Sequence, residues 1–184
     1  GLVNELPYFK EMGGVRAMAM SVHKLYVGDE DGVVRSWKRD ERGHWTSSGI
    51  LKIVKKKCSV RAILIVPREG YEGAQKETIC VAYENGTLYT VDNDDKTTKV
   101  SFTVKKRDNK KRGKSFVDEP DRINALCFVH GRIIAGSKHG MLYVGTLSDG
   151  RWTFDTKNPH EAHVKRKEKG DKGDTKDDYK GDIE

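Results

Sequence analysis

Apolar and polar positions along this chain alternate in short runs, and one pattern occurs three times. Residues 24–37 read KLYVGDEDGVVRSW, residues 78–91 read TICVAYENGTLYTV and residues 132–145 read RIIAGSKHGMLYVG, at a constant spacing of 54 without a gap. Each copy runs from an apolar stretch through a polar tip ending in Gly32, Gly86 or Gly140 into a second β-prone stretch. Glycine at that place supplies the positive φ of a tight turn, so each copy predicts a β-hairpin.

The hairpin sits inside a longer unit. In the first unit an apolar run of strand length, residues 15–22 (VRAMAMSV), precedes the hairpin, and a moderately β-prone run, residues 45–54, follows it. The second unit repeats this order with residues 60–66 (VRAILIV), hairpin strands at 78–83 and 87–91, and a fourth strand at 99–104; a nine-residue insertion, 67–75, separates its first two strands. The third opens with residues 123–129 (INALCFV), aligns with the first from Val15 on Ile123 to Trp37 on Gly145, and ends with a strand at 151–156. Alternation predicts that Ala19, Leu64, Cys127, Val27, Val81 and Ala135 are buried between strands.

Four short strands per unit, repeated, with no helical periodicity, predict an all-β chain: a β-propeller-like array of about three four-stranded antiparallel blades. The first unit resembles the WD40 family, because VGDEDGVVRSW is similar to that family's hairpin ending in Trp-Asp. Trp37 stands where the Trp belongs, but Lys38 replaces the Asp, and the other copies carry Val91-Asp92 and Gly145-Thr146. The His-Asp-Ser-Trp bonding network of regular repeats is therefore not expected. The resemblance covers residues 15–156 and implies a non-enzymatic scaffold, cytoplasmic or nuclear, that binds protein partners through its loop rims. Another propeller class and a β-sandwich are the alternatives.

On this reading residues 1–14 are a lead-in, with 6–9 as the outer strand of a preceding blade. Blades follow at 15–57, 58–104 and 123–157, and residues 105–122 form a basic loop between the second and third. Residues 158–184 hold the start of a following blade, HEAHV at 160–164, and a disordered tail in which fourteen of the last twenty residues are charged. Propellers close with about four to eight blades, so about three leave an apolar face open at each end. A face of several hundred Å² represents on the order of 10 kcal/mol of unrealised burial. The chain is thus expected to self-associate or to take its missing blades from a longer polypeptide. The start, GLVNELPYFK, reads as a fragment or a processed product.

Composition changes this picture little and charge changes it more. The 184 residues suit one domain, and mean hydropathy is −0.74, polar for a globular protein. No segment approaches the ~20 apolar residues of a membrane helix, and no membrane partner is expected. Three cysteines do not make a disulfide framework. Net charge is +7, and residues 105–114 (KKRDNKKRGK) alone carry +6. Lys105, Lys106, Arg107, Lys110, Lys111, Arg112 and Lys114 are candidates for binding RNA or DNA phosphate, or for a nuclear-import signal; a solvated loop is the plainer reading. No aromatic residue is interleaved, although Phe116 follows closely. Lys55, Lys56 and Lys57 lie at the equivalent junction between the first and second blades, which in a propeller opens on the same rim.

Arg16, Arg61 and Asn124 share one repeat position at the start of the innermost strand. A ring of cations there is suited to an anion or an acidic partner segment. The alternative is that each stem packs on the next blade and bonds loop carbonyls. Catalysis finds little support. There is no G-x-S-x-G, P-loop or G-x-G-x-x-G, and the inner strands carry no carboxylate. His160 and His163 lack further ligands, and the three carboxylates of the Asp29-Glu30-Asp31 tip recur neither at Glu84-Asn85, which keeps one, nor at Lys138-His139, which has none. No catalytic residue, metal or cofactor is expected, and an enzyme on another propeller class is the reading left behind.

Overall fold

The computed structural model describes residues 13–51, 53, 57–67, 77–92, 96–107, 115–157 and 159–161. The expected strand at 6–9, the expected insertion 67–75 apart from Pro67, and the charged tail fall outside these residues. The described chain is all-β. β1 (Val15–Met20), β2 (Lys24–Asp29), β3 (Val34–Arg39) and β4 (Trp45–Leu51) form an antiparallel sheet in chain order. β5 (Val60–Pro67), β6 (Glu77–Tyr83), β7 (Thr87–Val91) and β8 (Thr97–Ser101) form a second. A separate hairpin of β9 (Thr103–Arg107) and β10 (Phe116–Pro120) follows. β11 (Ile123–Val129), β12 (Arg132–Ser137), β13 (Met141–Ser148) and β14 (Arg151–Phe154) form the third sheet, and β15 (His160–Glu161) also pairs with β13.

The three units lie as a stack, and alternation decides which residues meet. From β5, Ile63 and Ile65, with Tyr83 of β6, pack toward Tyr26 and Val34 of the first sheet, while Ala62, Leu64 and Val66 pack toward Ile123, Leu126 and Ile133 of the third. The middle sheet is covered on both sides, so β6 is buried along its whole length. That double burial explains why β6 (ETICVAY) reads as a near-continuous apolar run and not as an alternation. Neighbouring sheets approach most closely along β1, β5 and β11 and diverge toward β4, β8 and β14. Among the described residues the sheets do not close into a ring or barrel.

Two departures from expectation have physical causes. Val27, Val81 and Ala135 are buried as predicted, but Ala19 and Leu64 are only partly buried and Cys127 is exposed. Cys127 lies between Leu126 and Phe128, which face the second sheet, so its own side faces away from the stack. The second departure is the strand expected at 99–104, which is split. Phe102, 1% exposed, leaves the sheet edge and packs into the core 4.5 Å from the Tyr143 ring. Its amide donates to Gly86 O, its carbonyl accepts from Asp121 N, and β9 departs in a new direction. The basic segment expected as a loop therefore begins on a strand. His160–Glu161, expected to open a following blade, runs beside Leu142 and Met141 on the same edge of β13 that β14 occupies.

Candidate functional site

All three sheets carry the same irregularity. Register shifts between Val15 and Ala17, between Val60 and Ala62, and between Ile123 and Ala125. The residues left over are Arg16, Arg61 and Asn124, the shared repeat position. A bulge of this kind re-aims its extra side chain, here toward the end of the stack that bears the hairpin tips.

Each bulge residue meets a polar partner there. Arg16 Nη2 lies 3.2 Å from Glu30 Oε2, and Arg61 Nε lies 2.8 Å from Glu84 Oε2. Arg122 Nη1 donates to Glu84 Oε1 at 2.5 Å, and its Nε donates to Asn124 Oδ1 at 2.9 Å. Glu84 thus bridges an arginine of the second unit and one that enters the third. Lys57 Nζ, on the first junction, lies 3.0 Å from Asp31 Oδ1 at the first tip. The result is a rim of partly exposed ion pairs in which Arg16, Arg61, Arg122 and Lys57 already meet a carboxylate, Arg61 and Arg122 sharing Glu84, rather than a bare cationic ring. Pairs this exposed contribute about 0–1 kcal/mol each, so their partners exchange at little cost.

Beneath the rim in the third sheet lies a buried network that was not expected. Asp121 is fully buried. Tyr143 Oη donates to Asp121 Oδ2 at 2.8 Å, and His139 Nδ1 is 2.8 Å from Oδ1. Ser137 Oγ accepts from the amides of His139 and Met141 and adds a side-chain bond to Asp121. Burial alone would raise the Asp121 pKa. The bonds from Ser137, His139 and Tyr143 outweigh it and hold the carboxyl below its usual range. Tyr143 moves the other way, raised by burial and then by its bond to Asp121. The network holds a tyrosine and no tryptophan, so it is not the His-Asp-Ser-Trp arrangement, which the degenerate repeats give no reason to expect. The sequence signal was available, since Ser137 and Tyr143 sit on the repeat, but Asp121 was assigned to a loop.

The basic candidates divide. Lys105, Lys106 and Arg107 lie on β9, opposite Asp118, Val117 and Phe116 of β10. Lys105 and Lys106 are exposed, and Lys106 Nζ lies 2.9 Å from Glu119, whose pKa it lowers. Phe116 is 61% exposed. Lys55, Lys56, Lys110, Lys111, Arg112 and Lys114 lie outside the described residues. The two junctions do share the tip end: Lys57 reaches the first tip, while Phe102, Pro120 and Asp121 close around Gly86 of the second. Gly86 has φ +75°, and a Cβ there would come within 3.1 Å of Phe102 O and Pro120 Cβ.

At the opposite end a cleft of about 550 Å³ opens between the second and third sheets, floored by Val66, Phe128, Leu147 and Trp152, with Asp92 and His130 among its lining residues. Repeat reading missed it because its walls come from different positions of two units. Among the described residues no group of three or more His, Cys, Asp or Glu is placed to hold a metal ion.

No protein-family model matches the chain, and no curated protein matches it significantly. Among solved structures it is similar to the computationally designed Ika4 protein, with a TM-score of 0.51 and 14% identity over 85% of this chain and 79% of that one. At such identity the likeness concerns the arrangement of the chain alone.

Proposed function

We propose that the protein is a non-enzymatic interaction scaffold of WD40-like type, whose three sheets are consecutive blades and whose tip-end rim receives a protein partner. The observation that carries this reading is the repeated bulge, which brings Arg16, Arg61 and, through Asn124, Arg122 to one rim. The fan of sheets, closest along β1, β5 and β11, supports the blade assignment. The partner is an acidic segment that displaces Glu30 and Glu84 from partly exposed arginines, a swap of one carboxylate for another. A cytoplasmic or nuclear setting goes with this proposal.

The test is fluorescence anisotropy with a labelled Glu-rich peptide. Arg61→Ala with Arg122→Ala is expected to weaken binding at least tenfold, while Lys105→Ala with Lys106→Ala leaves it unchanged. Absent binding, or binding indifferent to the arginines, contradicts the reading.

A second reading rests on the β9–β10 hairpin, where exposed Phe116 stands opposite Arg107 beside Lys105 and Lys106. Cations beside an exposed ring suit a single-stranded nucleic acid. A salt titration with a single-stranded RNA oligonucleotide tests it, since phosphate contact gives a steep slope that Lys105→Ala with Lys106→Ala flattens.

A further inference from the structure

The face that the second sheet turns to the third changes character along its length. Ala82 and Leu88, paired across β6 and β7, are fully buried and pack with Ile123 and Tyr143 of the third sheet. Farther from the tips the next pair on this face is Cys80 and Thr90, and beyond it come Thr78 on β6 and Asp92 just past β7. The facing side of the third sheet stays apolar there. Leu147 pairs with Trp152, and Trp152 meets Phe128 edge to face at 6.3 Å. Polar residues offer these side chains little apolar surface to bury against, so the sheets part and Leu147 is left 49% exposed.

The opening is one groove with two halves, of about 550 and 540 Å³, that share Thr78, Asp92, Gly150 and Trp152. Each half has the size of a small-molecule site, about 300–1,000 Å³. Val66, Phe128 and Leu147 wall the first half alone, with His130 at its border. Lys96, Lys99 and Arg151 wall the second alone. Thr78 and Thr90, both buried, add hydroxyls that can donate to an anion.

Charge divides in the same way. Lys96 and Lys99 come from the second sheet and Arg151 from the third. Among the described residues none of these three forms an ion pair, whereas Arg16, Arg61, Arg122 and Lys57 at the tip end are all paired. Among the described lining residues Asp92 is the one carboxylate, and its Oδ1 accepts the Lys96 amide at 2.9 Å. Asp149, in the turn beside Gly150, is not part of the walls. The second half therefore sets three cations against one carboxylate.

We propose that this groove binds a small carboxylate with an apolar tail, the tail against Phe128, Leu147 and Trp152 and the carboxylate between Lys96 and Arg151. A bare anion would leave Leu147 in water, and an uncharged apolar molecule would leave the cations without a partner. The proposal rests on the walls of the groove and not on the rim reading. The Glu-rich peptide that probes the rim lacks the tail, so each reading stands if the other fails.

An NMR titration of the full chain with octanoate, kept below its micelle concentration, tests it, with 1-octanol and acetate as probes that lack the charge or the tail. Octanoate is expected to shift the signals of Lys96, Phe128, Leu147, Arg151 and Trp152 saturably. 1-Octanol is expected to bind at least tenfold more weakly, and acetate to leave these signals in place at the same concentrations. Lys96→Ala with Arg151→Ala should weaken octanoate at least tenfold and leave 1-octanol unchanged, while Leu147→Ser should weaken both at least threefold. Thermal melts by circular dichroism check that each variant remains folded, and the comparison of the three probes on wild type decides the proposal if one does not. Octanoate shifts that do not saturate, that centre on other residues, or that 1-octanol reproduces at equal affinity overturn it.

Discussion

Asp29 and Arg35 form an ion pair of 2.7 Å at the first hairpin tip, both nearly withdrawn from water. Asp29 Oδ1 also accepts from the amides of Asp31 and Val33 and so closes the turn. The equivalent positions of the second unit hold Tyr83 and Tyr89, whose rings meet edge to face at 5.7 Å. In the third they hold Ser137 and Tyr143, joined through Asp121. The same two positions fasten each tip with different chemistry.

Removing one member of a buried pair leaves a charge without its partner, which costs about 3–5 kcal/mol. Arg35→Met is expected to destabilise by that order. Adding Asp29→Asn should recover much of the loss, because asparagine still accepts the turn amides and no charge remains buried. Urea melts of the two variants check this, and simply additive losses would show that the pair is not coupled.

The Asp121 network predicts an acid limb. Its carboxyl is held below the usual value, near 3.9 in an unfolded chain. A lowered native pKa contributes stability that is complete above the unfolded value and is lost as pH falls through the native one. Asp121→Asn is therefore expected to be less stable than wild type at neutral pH, with the difference shrinking below about pH 4. Chemical denaturation between pH 7 and pH 2 measures both curves. Parallel curves would remove Asp121 from the acid response.

The described thiols should separate by reactivity. Burial pushes the Cys80 pKa up to about 12, and the side chain is fully covered. Cys127 is exposed. Alkylation followed by mass spectrometry is expected to label Cys127 in the native protein and Cys80 only after unfolding. Early labelling of Cys80 would contradict the buried middle sheet.

Much of this architecture was legible because the repeat and the periodicity agreed. Gly32, Gly86 and Gly140 mark the tips, and β11 and β7 fall on the predicted residues. Cys127 shows the limit: alternation assigns residues to two faces, but only the stacking order says which face has a neighbour. Phe102 shows another, since a residue that reads as part of a strand left the edge to fill the core between two sheets. At the rim, Arg16 and Arg61 were recognised by position. Arg122 was not, because its approach to Glu84 depends on how two units sit together.

Amide shift mapping by NMR, with a Glu-rich peptide titrated into the labelled chain, tests the functional reading most directly. The account predicts changes centred on Arg16, Glu30, Arg61, Glu84 and Arg122, where the bulges and tips share one end. Changes centred on Phe128 and Trp152 of the opposite cleft, or on Lys105 and Phe116 of the hairpin, would contradict it.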